Sequence, residues 1–156
     1  MTRNAARQIA IQLLFSIEGN PLSADEVVDL FFSEEHYGTL SDEDPAFQER
    51  PDSDQMRYIL SIVEETSIHL TEIDGVITRY SRGWKKERLS KTTLAILRCA
   101  VCEILYMDDV PNSAAVNEAV EFGKKFDSPE AAAFINGLLG SFLRAEITDD
   151  TDRGVQ

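Results

Sequence analysis

Two cysteines and two histidines are the whole supply, in 156 residues, of the side chains that most readily ligate transition metals or move protons near neutral pH. His36 and His69 are far apart and fit no metal-ligand spacing. Cys99 and Cys102 form a C-x-x-C, but no second pair accompanies them. Both fall in a long apolar helical stretch, where thiols behave as small hydrophobes. No Gly-rich phosphate loop, H-E-x-x-H or nucleophile elbow is present. The acid pairs Glu64-Glu65 and Asp108-Asp109 fall on helix faces or ends without a candidate substrate pocket. With no nucleophile–base pair either, the residues point to a binding role and not to an enzyme. No apolar run approaches the roughly 18 residues that cross a bilayer. The polar start M-T-R-N-A-A-R interrupts any signal-peptide core, so a cytoplasmic location is the expectation.

Positive charge is the next scarcity. Fifteen Lys and Arg face 28 Asp and Glu, a formal charge of −13, which excludes a protein coated with basic surface for indiscriminate nucleic-acid binding. The charge is also segregated. Between Glu18 and Asp74 the only cations are Arg50 and Arg57, whereas Arg79, Arg82, Lys85, Lys86, Arg88, Lys91 and Arg98 follow close together. An acidic chain with one basic island binds an anion locally or not at all.

What the chain does have is helical periodicity. A first helix is expected over residues 2–16, ended by Gly19-Asn20. A second opens on the capping box Ser23-x-x-Glu26. Residues 33–52 are rich in acid, Gly, Pro, Ser and Thr, and read as a mobile acidic loop with at most a short helical turn. Helices follow over 53–69, from a Thr71 cap, from a Ser90 cap to about Asp108, and from Asn112 or Ser113 to Phe126. Between the fourth and fifth, residues 81–89 form a basic connector whose Trp84 either faces a partner or covers the core. Ser128 caps the last helix and Pro129 takes its first position, where a missing N–H costs nothing. The tail, 148–156, reads as disordered. No alternating pattern predicts a sheet. The fold class is all-α: a compact bundle of about seven helices within residues 1–147, in two packed subdomains divided near Ser81.

Two aromatics sit oddly on these helices. The first helix buries Ala6, Ala10, Leu13 and Ile17, leaving Asn4, Gln8, Ile11, Gln12 and Phe15 on its far side. Phe15 either packs beneath a neighbouring element or offers a base-stacking surface, with Arg3 and Arg7 upstream for phosphates. On the last helix Ala131, Ile135, Leu138, Leu139 and Phe142 form the apolar side, opposite Glu130, Ala133, Gly137, Gly140 and Ser141. Phe134 lies roughly 90° from the apolar centre, at the edge of a face of small residues that either packs closely or receives a ligand.

The run A-V-N-E-A-V-E-F-G-K-K-F followed by F-I-N-G-L-L resembles the C-terminal signature of the NusB family of transcription antitermination factors. The opening A-A-R-Q-I-A-I-Q-L-L-F-S is similar to that family's first helix. I-D-G-V-I and L-S-K-T-T-L-A-I-L-R-C-A-V-C-E-I-L-Y match between them in the same order. The resemblance implies a NusB-like fold, no enzymatic activity, and no metal or cofactor. It also implies binding to the single-stranded boxA element of nascent ribosomal RNA transcripts, jointly with the ribosomal protein that acts as NusE, on the transcription elongation complex.

Residue by residue, the resemblance carries RNA contact to Arg3, Arg7, Gln12 and Phe15 on the first helix and to Glu130, Ala133 and Phe134 on the last. The basic start is thin, because Asn4 stands where the family often has arginine. Joint binding with the partner compensates for that. Two other readings stay open: a protein-only interaction module, and the NusB-like accessory domain of rRNA methyltransferases, against which the lack of a Gly-rich cofactor segment counts. Oligomeric state is open too, since the Ala133/Gly137/Gly140 face can pack within or between subunits.

Overall fold

The structure is a computed structural model that describes residues 1–82 and 89–147. Among these residues there are eight α-helices and no strand: α1 Arg3–Ile17, α2 Ala24–Phe31, α3 Glu34–Glu43, α4 Ser53–Ile68, α5 Leu70–Tyr80, α6 Lys91–Tyr106, α7 Asn112–Phe126 and α8 Pro129–Glu146. A single 3-10 turn, Pro45–Phe47, lies between α3 and α4. Trp84, with connector residues 83–88, and the 148–156 tail lie outside the described residues.

The helix starts show why local chemistry predicts them well. Thr2 Oγ1 accepts from the Ala5 N–H at 3.0 Å and opens α1. Ser23 and Glu26 cap α2 reciprocally, at 3.2 and 3.1 Å. Ser90 and Ser128 cap α6 and α8 one way only, each hydroxyl oxygen accepting the N–H three residues on, Thr93 and Ala131, at 3.0 Å. Each such bond satisfies one of the orphaned amides of a helix's first turn. At the end of α1, Gly19 takes φ +70°, a left-handed conformation that glycine adopts without the Cβ clash. Two expected caps differ. Helix α5 starts at Leu70 behind His69, not behind Thr71, and no side chain caps it. Helix α7 has Pro111 at its cap position, and Asn112 is already helical and buried.

The chain divides into two compact units, 1–64 and 65–156, with the division inside α4 and not near Ser81. In the first unit, α1 is buried almost all round between Ala5 and Leu14, including Gln8 and Ile11, which the wheel had placed outward. The acidic segment 33–52 is also more structured than its composition predicts. Ser33 caps a ten-residue α3, with Glu34 and Glu35 complementing the positive end of the helix dipole. Tyr37 and Phe47 are 3% and 1% exposed and anchor the segment. The Tyr37 hydroxyl donates to the Glu49 carbonyl at 3.0 Å. Arg50 lies 4.7 Å from the Tyr37 ring centroid and donates to the Phe32 carbonyl at 2.9 Å. Burial of two rings outweighs a surface of carboxylates here.

The second unit is built around α6, whose residues 93–104 are all buried, as expected of a helix enclosed by neighbours. Its Arg98 makes a bidentate pair with Asp74 of α5, Nε to Oδ1 at 2.9 Å and Nη2 to Oδ2 at 2.7 Å. That pair places α5 with α6 in one unit and removes Arg98 from the basic surface. The Cys99 Sγ donates to Glu103 at 3.6 Å. Burial pushes the Cys102 thiol up to about 11, so it stays protonated at neutral pH. Among the described residues no cluster of His, Cys, Asp or Glu is arranged to hold a metal. Helices α7 and α8 approach closely at Gly123. A Cβ there would lie 2.9 Å from Ile135 Cδ1 and 3.1 Å from the Ala132 Cα.

Candidate nucleic-acid interface

In the first unit the candidate residues fall into two groups. Arg3 and Arg7 gather at Tyr58, their guanidinium carbons 4.5 and 5.9 Å from its ring centroid. Arg3 is exposed, but Arg7 is only 5% exposed and donates to Asn4 Oδ1 at 3.1 Å. Asn4 thus serves as a fixed acceptor for its neighbour. Arg7 shapes the helix start, and Arg3 is the arginine at the surface.

Gln12 and Phe15 form the second group. Phe15 is 40% exposed, an unusual state for a large aromatic beside a helix buried nearly all round. The two line an open groove of about 350 Å³ with Leu22, Leu30, Phe31 and His36 among its other walls. The expected outward direction of Phe15 holds, since the residue lies just past the enclosed part of α1.

In the second unit, Glu130 and Ala133 are exposed and Phe134 is half-buried. Phe134 is the wall shared by two grooves. One, of about 210 Å³, is lined by Leu89, Ser90, Thr93, Asp127, Ser128, Glu130 and Ala131. Asp127 organises it: its Oδ2 accepts from Ser90 Oγ at 2.6 Å and from Thr93 Oγ1 at 2.8 Å, tying the end of α7 to the start of α6.

The other, of about 350 Å³, is lined by Tyr80, Ser81, Arg82, Gly137, Leu138, Ser141 and Arg144. Arg82 and Arg144 both donate to Ser141 Oγ, at 3.3 and 3.5 Å. Beside it, Glu146 accepts from the Tyr80 hydroxyl and from Arg79. Those bonds, the tyrosine's first, hold the Glu146 carboxyl below its ordinary range. Acid therefore lies on one side of Phe134 and base on the other.

Sequence reading placed Ser141 on the small-residue face beside Phe134 but missed Tyr80 and Arg144 as its surface partners. Their signal was available in part, because Phe134, Gly137, Ser141 and Arg144 recur at helical spacing along one stripe. Arg82 was visible only as one member of the basic run.

The NusB family model matches residues 4–144, nearly the whole described chain. A relative from Acetivibrio thermocellus, named transcription antitermination protein NusB, is 37% identical over 147 residues, covering 94% of this chain and 92% of that protein. NusB of T. maritima superposes with a TM-score of 0.71 at 25% identity, covering 93% and 92% of the two chains. A structure of antitermination factors NusB and NusE in complex with dsRNA gives 0.72 at 21% identity, covering 92% and 96%, and shares the fold. No helix among the described residues is long and apolar enough to cross a membrane. The all-helical fold and a family match over residues 4–144 agree: this chain belongs to the NusB family.

Proposed function

We propose that the protein is an RNA-binding transcription antitermination factor that binds boxA-type single-stranded RNA jointly with the ribosomal protein acting as NusE. The carrying observation is the exposure of Phe15 next to Gln12, on the helix where family resemblance assigns RNA contact. Arg3 is the exposed cation at the start of the same helix, and Arg7, buried on Tyr58, holds that start in place. On α8, Phe134 supplies a second ring, with Glu130 and Ala133 at its exposed side.

Stacking on aromatic rings with few phosphate contacts gives weak, salt-sensitive binding by the protein alone. That is why a partner contributing further positive charge belongs to the reading. The relative's name and the NusB–NusE structure with RNA support the same assignment. The role is that of a cytoplasmic binding factor on the elongation complex and not of a catalyst.

The test is a fluorescence-anisotropy titration of boxA and scrambled RNA, with and without the NusE partner. Preference for boxA that sharpens with the partner is expected. Phe15→Ala and Phe134→Ala should each weaken binding by about 1–3 kcal/mol, roughly five- to 150-fold. Equal affinity for both RNAs, or no effect of either substitution, would make the protein-only reading the better one.

A further inference from the structure

The groove between Phe134 and Tyr80 differs in charge from the rest of an acidic chain. Four arginines are described in the second unit. Arg79 is matched by Glu146 and Arg98 by Asp74. The other two, Arg82 and Arg144, converge on one neutral hydroxyl, that of Ser141. Among the described residues no carboxylate pairs with either. Two guanidinium groups aimed at one point repel each other, and a protein with net charge −13 has ample carboxylate to separate them. An anion between them removes that repulsion. Arg82 also holds φ +50°, a left-handed conformation that a non-glycine residue rarely adopts and that points to a residue kept in place for use.

We propose that this groove is a phosphate-binding subsite for single-stranded RNA, in which Arg82 and Arg144 grip the phosphodiester of a nucleotide whose base lies on Phe134. The proposal rests on the RNA-binding reading and adds contacts that reading does not include. A carboxylate would satisfy the two arginine forks equally well. The walls favour the nucleotide, because a ring face beside a pair of cations is the combination that tracks unpaired nucleic acid. Tyr80 closes the opposite wall, with its hydroxyl held by Glu146. The space fits as well: about 350 Å³ falls within the roughly 300–1,000 Å³ of small-ligand sites. A Cβ added at Gly137 would meet nothing within 4 Å, so the cleft is open at that point.

The experiment measures the salt dependence of boxA and scrambled RNA binding by the full chain, with the NusE partner present, over about 50–200 mM salt. Arg82→Gln and Arg144→Gln should each reduce the slope of log K against log salt by about 0.7, the value for one single-strand phosphate contact. Each should weaken both RNAs by the same factor, since a phosphate grip reads no sequence. Gly137→Ala keeps the fold, because its methyl has room in the protein itself, yet it should weaken binding by intruding on the ligand. In the isotope-labelled chain, a short oligouridylate should shift the amide signals of Gly137 and Ser141 in the wild type and not in Arg144→Gln.

Slopes unchanged in both arginine variants, while Phe15→Ala still weakens boxA binding, would overturn the subsite and leave the RNA reading intact. Amide signals moved by a glutamate-rich peptide and not by oligouridylate would overturn it in favour of protein docking. Arginine-dependent shifts with oligouridylate, in a protein that does not prefer boxA, would uphold the subsite and remove the reading above it.

Discussion

Replacing Asp74 by Ala tests the packing of the second unit most severely. Arg98 is 5% exposed, and two of its nitrogens are held by the Asp74 carboxylate at 2.9 and 2.7 Å. Removing one partner of such a buried pair leaves the other charge without its main compensation, a change worth about 3–5 kcal/mol. Against a total stability of about 5–15 kcal/mol for a typical domain, that is a large fraction. For a chain of this length it corresponds to a fall in melting temperature of about 6–20 °C. Urea unfolding followed by far-ultraviolet circular dichroism gives the energy, and a thermal scan gives the shift. The double change Asp74→Leu with Arg98→Met removes both charges and should restore most of the loss, since apolar replacements of buried pairs are often neutral or stabilising. A loss below about 1 kcal/mol in Asp74→Ala would show that Arg98 reaches water without effort, and the account of α5 and α6 as ion-pair partners would fail.

Other expectations follow from the same packing. Gly123→Ala should destabilise by about 1–3 kcal/mol, less the roughly 1 kcal/mol that alanine gains in a helix. The reason is that its methyl would stand 3.1 Å from the Ala132 backbone, and a net gain of about 1 kcal/mol in urea, the helix preference unopposed, would refute the close approach of α7 and α8. Because burial raises the Cys102 thiol from 9.0 to about 11, the folded state retains a proton that the unfolded state releases. Stability from this residue is complete below pH 9 and is lost as pH rises toward 11, by about 2–3 kcal/mol. Urea titrations at several pH values should show that decline in the wild type and a flatter profile in Cys102→Ala. The same burial predicts that the Cys102 thiol in the folded protein resists aqueous thiol reagents at pH 8, and rapid labelling there would contradict it.

How much could be read in advance depends on how far each feature reaches along the chain. The caps at Ser23, Ser90 and Ser128 were legible because donor and acceptor are separated by three residues. Pro129 and Gly19 were legible for the same local reason. Helix α3 was not, because what stabilises it is the burial of Tyr37 and Phe47 within a segment whose composition is mostly acid and turn formers. Arg7 was placed among surface contacts because nothing near it in sequence reveals Tyr58, the ring it lies against. Gln8 and Ile11 were placed outward because a wheel assumes one buried side, and α1 has almost no exposed one before Phe15. At the candidate interface, the direction of Phe15 followed from periodicity. The cleft between Phe134 and Arg82 needed the fold, since α5 and α8 are distant in the chain and adjacent in this unit.

The shared carboxylate of Asp127 has a consequence for selectivity. A carboxylate only accepts, so the hydroxyl hydrogens of Ser90 and Thr93 are both engaged by Asp127, in the cleft that all three line. What those two oxygens offer outward is lone pairs, and Glu130 adds more at the same rim. The side chains at that edge of Phe134 therefore accept hydrogen bonds, whereas those at the arginine edge donate them. On the proposed RNA-binding reading, a ring flanked in this way would favour one heading for the strand across it, with phosphates on the arginine side and the amino-bearing edge of a base on the other.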